Sequence, residues 1–210
     1  MSGHTLIVPV TTHGSEPGPG TTRLWKIALD GSAPVPLTTD TASSTKPRLA
    51  HAGGTLGFLR DVDGRRQVHV MPVDGGEPTI ATCFPLGVTG FRWFPDGRRM
   101  VVIADVYAEA PTPGASAERR DTLATSTTSA RTTDSAVYRY WDRWLTDGRV
   151  PHLFVVELDG GDPADLTPDS TRWMRWDNTA DPADDLAVAP DGASVAACFD
   201  VSAHPHLELR

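Results

Sequence analysis

The stretch Phe91-Arg92-Trp93-Phe94-Pro95-Asp96-Gly97-Arg98-Arg99-Met100-Val101-Val102-Ile103 decides the fold, because its plan comes back along the chain. Leu186-Ala187-Val188-Ala189-Pro190-Asp191-Gly192-Ala193-Ser194-Val195-Ala196-Ala197 repeats it, and Pro47-Arg48-Leu49-Ala50-His51-Ala52-Gly53-Gly54-Thr55-Leu56-Gly57-Phe58 is a degenerate copy. In Pro-Asp-Gly the proline presets the first corner, the aspartate bonds locally and the glycine supplies a positive φ. Apolar strands on both sides make each copy a β-hairpin.

A second unit recurs between these copies. Leu24–Gly31, Gln67–Gly75 and His152–Gly160 each alternate apolar with polar or small residues and stop at Asp-Gly. Each predicts a half-buried strand ending in a tight turn. A short strand follows each one, at Val35–Thr38, Thr79–Thr82 and Ala164–Thr167. Gly31 to Gly75 is 44 residues and Gly54 to Gly97 is 43. Four short strands in about 40–45 residues is the period of a β-propeller blade.

The expected fold is therefore all-β, a propeller of four-stranded blades with about three and a half blades present. Blade one ends near 39, and blade two spans about 45–83. Blade three spans about 88–168 and carries one long insertion at about 107–149. An incomplete blade four starts near 184. An open fourth blade leaves an unpaired edge, so the chain is expected to be the N-terminal part of a longer protein.

Within the insertion, residues 108–135 are rich in Ala, Thr, Ser and Pro, which predicts an exposed, mobile excursion with a frayed helix around 116–131. Val137-Tyr138-Arg139-Tyr140-Trp141-Asp142-Arg143-Trp144-Leu145 then concentrates large aromatics. Trp141, Trp144 and Leu145 fall at i, i+3, i+4, one face of a helix. Such a face either anchors the excursion by packing or, with Tyr138, Tyr140, Trp141 and Trp144, lines a substrate or domain interface.

The bulk composition excludes several classes. The formal net charge is −8, with basic residues paired only at Arg65-Arg66 and Arg98-Arg99, so no nucleic-acid partner is expected. Cys83 and Cys198 are far apart in apolar strand-like contexts and are expected to be buried thiols. The N-terminus lacks a basic region and a signal-length apolar run, and no stretch reaches membrane-spanning length. No membrane association and a cytoplasmic location are the expectation.

The chain holds no recognisable catalytic machinery. Gly192-Ala193-Ser194-Val195-Ala196 lacks the second glycine of a nucleophile elbow and opens a strand. Asp61-Val62-Asp63-Gly64 lacks the later calcium ligands and predicts a hairpin turn. His204-Pro205-His206 needs further ligands to hold a metal. No cofactor or metal is expected. Asp177, Asp181, Asp184 and Asp185 form an acidic cluster. It is either solvated loop charge or a set of carboxylates facing the propeller mouth, where one could bind a peptide's amino terminus.

Tyr138–Trp144, followed by His152-Leu153-Phe154-Val155-Val156-Glu157-Leu158-Asp159-Gly160-Gly161, resembles the N-terminal propeller of the prolyl oligopeptidase family, in its dipeptidyl aminopeptidase and acylaminoacyl-peptidase branch. The Pro-Asp-Gly units resemble the TolB-like repeat of these propellers, with Phe94 and Ala189 in place of the usual serine. The resemblance implies a serine peptidase that acts on short peptides. Its propeller would cover the active site of a C-terminal α/β-hydrolase domain, and the Ser, Asp and His triad would lie in that domain, outside this chain. Two other readings are a non-enzymatic TolB-like propeller that binds proteins and a truncated copy without function.

Overall fold

A computed structural model describes residues 5–15, 18, 20–51, 53–128, 130, 139–140, 143–174 and 181–201. The described chain is a β-propeller fold of antiparallel sheets. The first sheet runs β1 (Thr5–Thr12), β2 (Thr21–Ala28) and β3 (Val35–Pro36). The second runs β4 (Ser44–Leu49), β5 (Thr55–Val62), β6 (Arg65–Pro72) and β7 (Thr79–Ile80). The third is built from β8 (Val88–Trp93), β9 (Arg99–Tyr107), β12 (Arg149–Glu157) and β13 (Ala164–Asp165). Between β9 and β12 lie α1 (Pro113–Ala124) and a hairpin of β10 (Arg139–Tyr140) and β11 (Arg143–Trp144). A final pair joins β14 (Leu186–Val188) to β15 (Val195–Ala197).

The turns follow their residues. Gly97 donates to the Phe94 carbonyl and Gly192 to the Ala189 carbonyl, with φ of 67° and 68°. Asp96 Oδ1 accepts from the Arg98 and Arg99 N–H groups, and Asp191 Oδ1 from that of Ala193. Phe94 and Ala189 leave this geometry intact because neither side chain takes part in it. Asp63 and Gly64 have φ of 52° and 77° and join β5 to β6, a two-residue loop with both residues left-handed.

Alternation along the central strands distributes apolar side chains to both faces. On β5, Leu56 and Phe58 pack with Leu24 of the first sheet, whereas Leu59 joins Phe91, Val102 and Phe154 of the third. On β12, Phe154 and Val156 face the second sheet, whereas Leu153 packs with Leu186 beside β14 and β15. β9 and β12 are therefore buried on both faces, where the alternation predicted half-burial. Sheets stacked face to face leave their central strands no wet side.

The closing strand of each repeating unit is held by one device. Leu37, Ala81 and Leu166 donate to the carbonyls of Leu24, Val68 and Leu153, each at 2.8 Å. One residue later a threonine hydroxyl accepts from the same central residue: Thr38 from Leu24, Thr82 from Val68 and Thr167 from Leu153. The side-chain oxygen replaces a ladder carbonyl just where the last strand peels away, so no buried N–H is orphaned.

Three expectations are corrected. The helix spans 113–124, not 116–131, because Thr112 caps it through Ala115 N and Pro113 starts its first turn. Residues 139–140 and 143–144 pair as strands, Arg139 opposite Trp144, so Trp144 lies on a strand and not on a helical face, and Trp141 lies outside the described residues. Cys83 and Cys198 are exposed. Extended backbone turns Thr82 and Phe84 inward around Cys83 and so sends the thiol outward.

Candidate functional site

β4, β8 and β14 are the first strands of their sheets, each with one edge left unpaired by its own sheet, and β4 and β14 both approach β8. Both β4 and β8 are irregular there. The β4 register shifts between Thr45 and Arg48, with Lys46 at φ 52°, and the β8 register shifts between Val88 and Gly90. A left-handed lysine before a proline is a costly conformation, of order 1–3 kcal/mol. Its effect is to aim Lys46 Nζ at the Thr89 carbonyl, 2.9 Å away, and at Asp181.

The Pro182–Asp185 turn lies against β8. Gly90 makes this approach possible, since a Cβ there would stand 3.0 Å from the Ala183 Cβ and 3.1 Å from its N. The turn brings two carboxylates to three cations. Asp181 Oδ1 accepts from Lys46 Nζ at 3.0 Å and from Ala183 N at 3.0 Å, and its Oδ2 from Arg48 at 2.9 Å. Asp184 Oδ1 is 3.1 Å from Arg92 and 3.5 Å from Arg48. Arg92 Nε also donates to the Ala183 and Leu186 carbonyls. The lattice thus links the second sheet, the third sheet and the segment leading to β14.

Burial pushes the Asp181 carboxyl up, but the Ala183 and Lys46 hydrogen bonds and the charges of Lys46 and Arg48 outweigh it and hold it below the usual carboxylate range. A depressed folded-state value stabilises the fold above the ordinary carboxylate pKa of about 3.9, and that contribution is lost as pH falls below it. Asp181→Asn is expected to cost about 1–3 kcal/mol at neutral pH. The variant's stability should also fall less steeply than the parent's below about pH 4. Urea midpoints between pH 3 and pH 7 check this, and equal acid slopes would remove Asp181 from the account.

Beside the lattice opens a cavity of about 550 Å³, with Arg48, His51, Arg92 and Asp184 on its polar side and Trp93 and Leu186 among its apolar lining. Of the acidic cluster, Asp181 and Asp184 are thus placed in ion pairs, Asp185 closes the short turn, and Asp177 lies outside the described residues. Asp181 is already engaged by two cations, so an incoming amino group would have to compete with both.

Of the four aromatic candidates, Tyr138 and Trp141 lie outside the described residues. Tyr140 and Trp144 sit on facing strands of the β10–β11 hairpin. Trp144 is half-buried and Leu145 is buried. His204 and His206 also lie outside the described residues, and Ser194 is an exposed residue before β15. Among the described residues no three His, Cys, Asp or Glu side chains are grouped as metal ligands, and no helix is long and apolar enough to cross a membrane.

Sequence reading missed Lys46, Arg48 and Arg92. Their signal was basic side chains on the first strands of otherwise apolar hairpins, masked in β4 by its bulge.

No protein-family model matches the chain. Dipeptidyl-peptidase 5 of Porphyromonas endodontalis is 26% identical over 198 residues, 93% of this chain and 27% of that protein. The uncharacterized peptidase YuxL of Bacillus subtilis is 28% identical over 148 residues, 70% of this chain and 22% of that protein. The chain therefore spans about a quarter of the length of these relatives. Among solved structures, the acylaminoacyl peptidase of Pyrococcus horikoshii superposes with a TM-score of 0.56 at 13% identity, over 78% of this chain and 23% of that one. That likeness is one of fold.

Proposed function

We propose, from a chain that is the propeller portion of a prolyl oligopeptidase-type peptidase, that it screens what reaches a serine-peptidase active site on a separate α/β-hydrolase domain and itself does no chemistry. The sheets are read as successive blades, the first ending near 39, the second at about 45–83 and the third at about 88–168, with the fourth begun near 184. The recurring threonine contacts at Thr38, Thr82 and Thr167 support that division.

The observation that carries the reading is the charged lattice on the first strands. In this reading a substrate passage between the sheets would be narrowed where Asp181 and Asp184 tie Lys46, Arg48 and Arg92 together. Short peptides pass or bind there, and longer chains must break ion pairs to follow. The aromatic hairpin with Tyr140 and Trp144 would face the substrate or the hydrolase domain.

The test is hydrolysis by the intact protein of a short chromogenic peptide and of a ten-residue peptide. In the double variant Asp181→Ala, Asp184→Ala, kcat/KM for the long peptide should rise about tenfold relative to the short one, about 1.4 kcal/mol of barrier. An unchanged ratio in a folded variant would overturn the screening role. If a fluorophosphonate labels no serine and neither peptide is cut, the chain belongs to a binding module instead.

A further inference from the structure

The cavity beside the lattice is short of negative charge. Arg48 and Arg92 converge on one carboxylate, Asp184, whose side chain is 59% exposed, against 19% for Asp181. Asp181 is shared between Lys46, Arg48 and a backbone N–H, while Asp184 is 3.1 Å from Arg92 and, more distantly, 3.5 Å from Arg48. Arg48 Nε is buried without a hydrogen-bond partner among the described residues. The Arg92 guanidinium is held below its ordinary value by burial and by the neighbouring charge of Arg48, which outweigh the attraction of Asp184 and Asp181.

Guanidinium groups bind carboxylates through paired, charge-assisted hydrogen bonds. Partial burial strengthens such bonds relative to open water. Leu49, 37% exposed, and the half-buried Val188 line the same cavity and offer apolar surface to a side chain. A volume of about 550 Å³ suits a ligand of two or three residues.

We propose that this cavity is a subsite for carboxylate-bearing peptides, in which the ligand carboxylate displaces Asp184 from Arg48 and Arg92 while a neighbouring side chain rests on Leu49 and Val188. The proposal rests on the screening role and names the chemical feature screened. No covalent step is involved. Asp184 acts as an internal surrogate for the ligand: it keeps the cations paired when the cavity is empty and swings to solvent when a peptide binds. The carboxylate is either a chain terminus or an acidic side chain, and the two place the peptide differently.

The experiment uses the intact protein, treated with a fluorophosphonate so that no probe is cut, and reads affinity by calorimetry. The probes are N-acetyl-Ala-Phe, its C-terminal amide, and N-acetyl-Glu-Phe-amide. The free acid should bind about tenfold tighter than the amide, the usual scale of one charge-assisted contact. Tight binding of the Glu probe as well would assign the site to carboxylates in general, and weak binding would assign it to chain termini. Arg92→Gln should abolish the acid preference. Because Arg92 also holds the Ala183 and Leu186 carbonyls, Asp184→Asn is the decisive variant. It removes the competitor, so acid binding should tighten severalfold while amide binding stays the same. Equal affinity for acid and amide, or weaker acid binding in Asp184→Asn, overturns the subsite. The ratio of long to short hydrolysis would still stand or fall separately.

Discussion

Replacing Phe91 by alanine is expected to cost about 4 kcal/mol of folding stability, the range of a fully buried phenylalanine. Phe91 is 0% exposed and meets Trp93 edge-on at 6.5 Å between the second and third sheets. Its place is cut into the second sheet by a missing side chain. A Cβ on Gly57 would stand 2.8 Å from Phe91 Cε2 and 3.0 Å from both Phe91 Cζ and Trp93 Cζ2. Two aromatic rings cannot yield that space cheaply, so Gly57→Ala in the parent protein should cost about 1–3 kcal/mol by overpacking. With Phe91 reduced to alanine the clash with its ring disappears and a cavity takes its place. Gly57→Ala should then cost much less than in the parent, since only the contact with Trp93 remains and the added methyl fills part of the void. The coupling, measured by denaturant midpoints across the four-protein cycle, should reach at least about 1 kcal/mol. Additive effects would mean that Gly57 and Phe91 do not share one space.

That pair illustrates what could be read from sequence and what could not. The hairpins around Pro95-Asp96-Gly97 and Pro190-Asp191-Gly192 were legible because turn chemistry is local: proline, aspartate and glycine set their own dihedrals. The strands were legible because period-2 alternation is local too. Which sheet each face meets is not local. Leu56 and Leu59 look alike in sequence but pack with different sheets. The aromatic segment misled for a related reason. Trp141, Trp144 and Leu145 match a helical period by chance, whereas residues rich in strand propensity at 139–140 and 143–144 fold back on each other. The charged lattice was invisible because Lys46 and Asp181 are 135 residues apart and meet only through a bulge and a glycine. The threonine contacts, by contrast, were within reach. In all three units a threonine follows the central-strand residue by 14 positions. Attention to apolar alternation passed over that polar repeat.

The polar repeat also fixes the second large effect, at His152. One residue before Leu24, Val68 and Leu153 stand Arg23, Gln67 and His152, and each holds the departing chain. Arg23 Nε donates to the Thr38 carbonyl, and Gln67 Nε2 donates to that of Phe84. His152 is 0% exposed, with Nδ1 2.7 Å from Asp165 Oδ2 and Nε2 2.9 Å from the Ser170 carbonyl. Asp165 Oδ1 in turn accepts from Thr167 N, and Thr167 Oγ1 accepts from Leu153 N. The imidazole therefore closes a continuous network that pins β13 and the segment after it to β12. His152→Ala removes the ring, leaves a cavity and strands a carboxylate and a carbonyl. The expected loss is about 3–5 kcal/mol, a cavity term plus the lost hydrogen-bond partners. His152→Phe fills the volume but leaves both acceptors unpaired, so it should recover less than half of that loss. His152→Gln should recover the most, because Gln67 already performs this task at the equivalent position of the second sheet. Urea unfolding of the three variants ranks them. An order with Phe above Gln would mean that packing, and not the network, sets the stability of this corner. A loss under about 1 kcal/mol for alanine would mean that water replaces the ring at no cost.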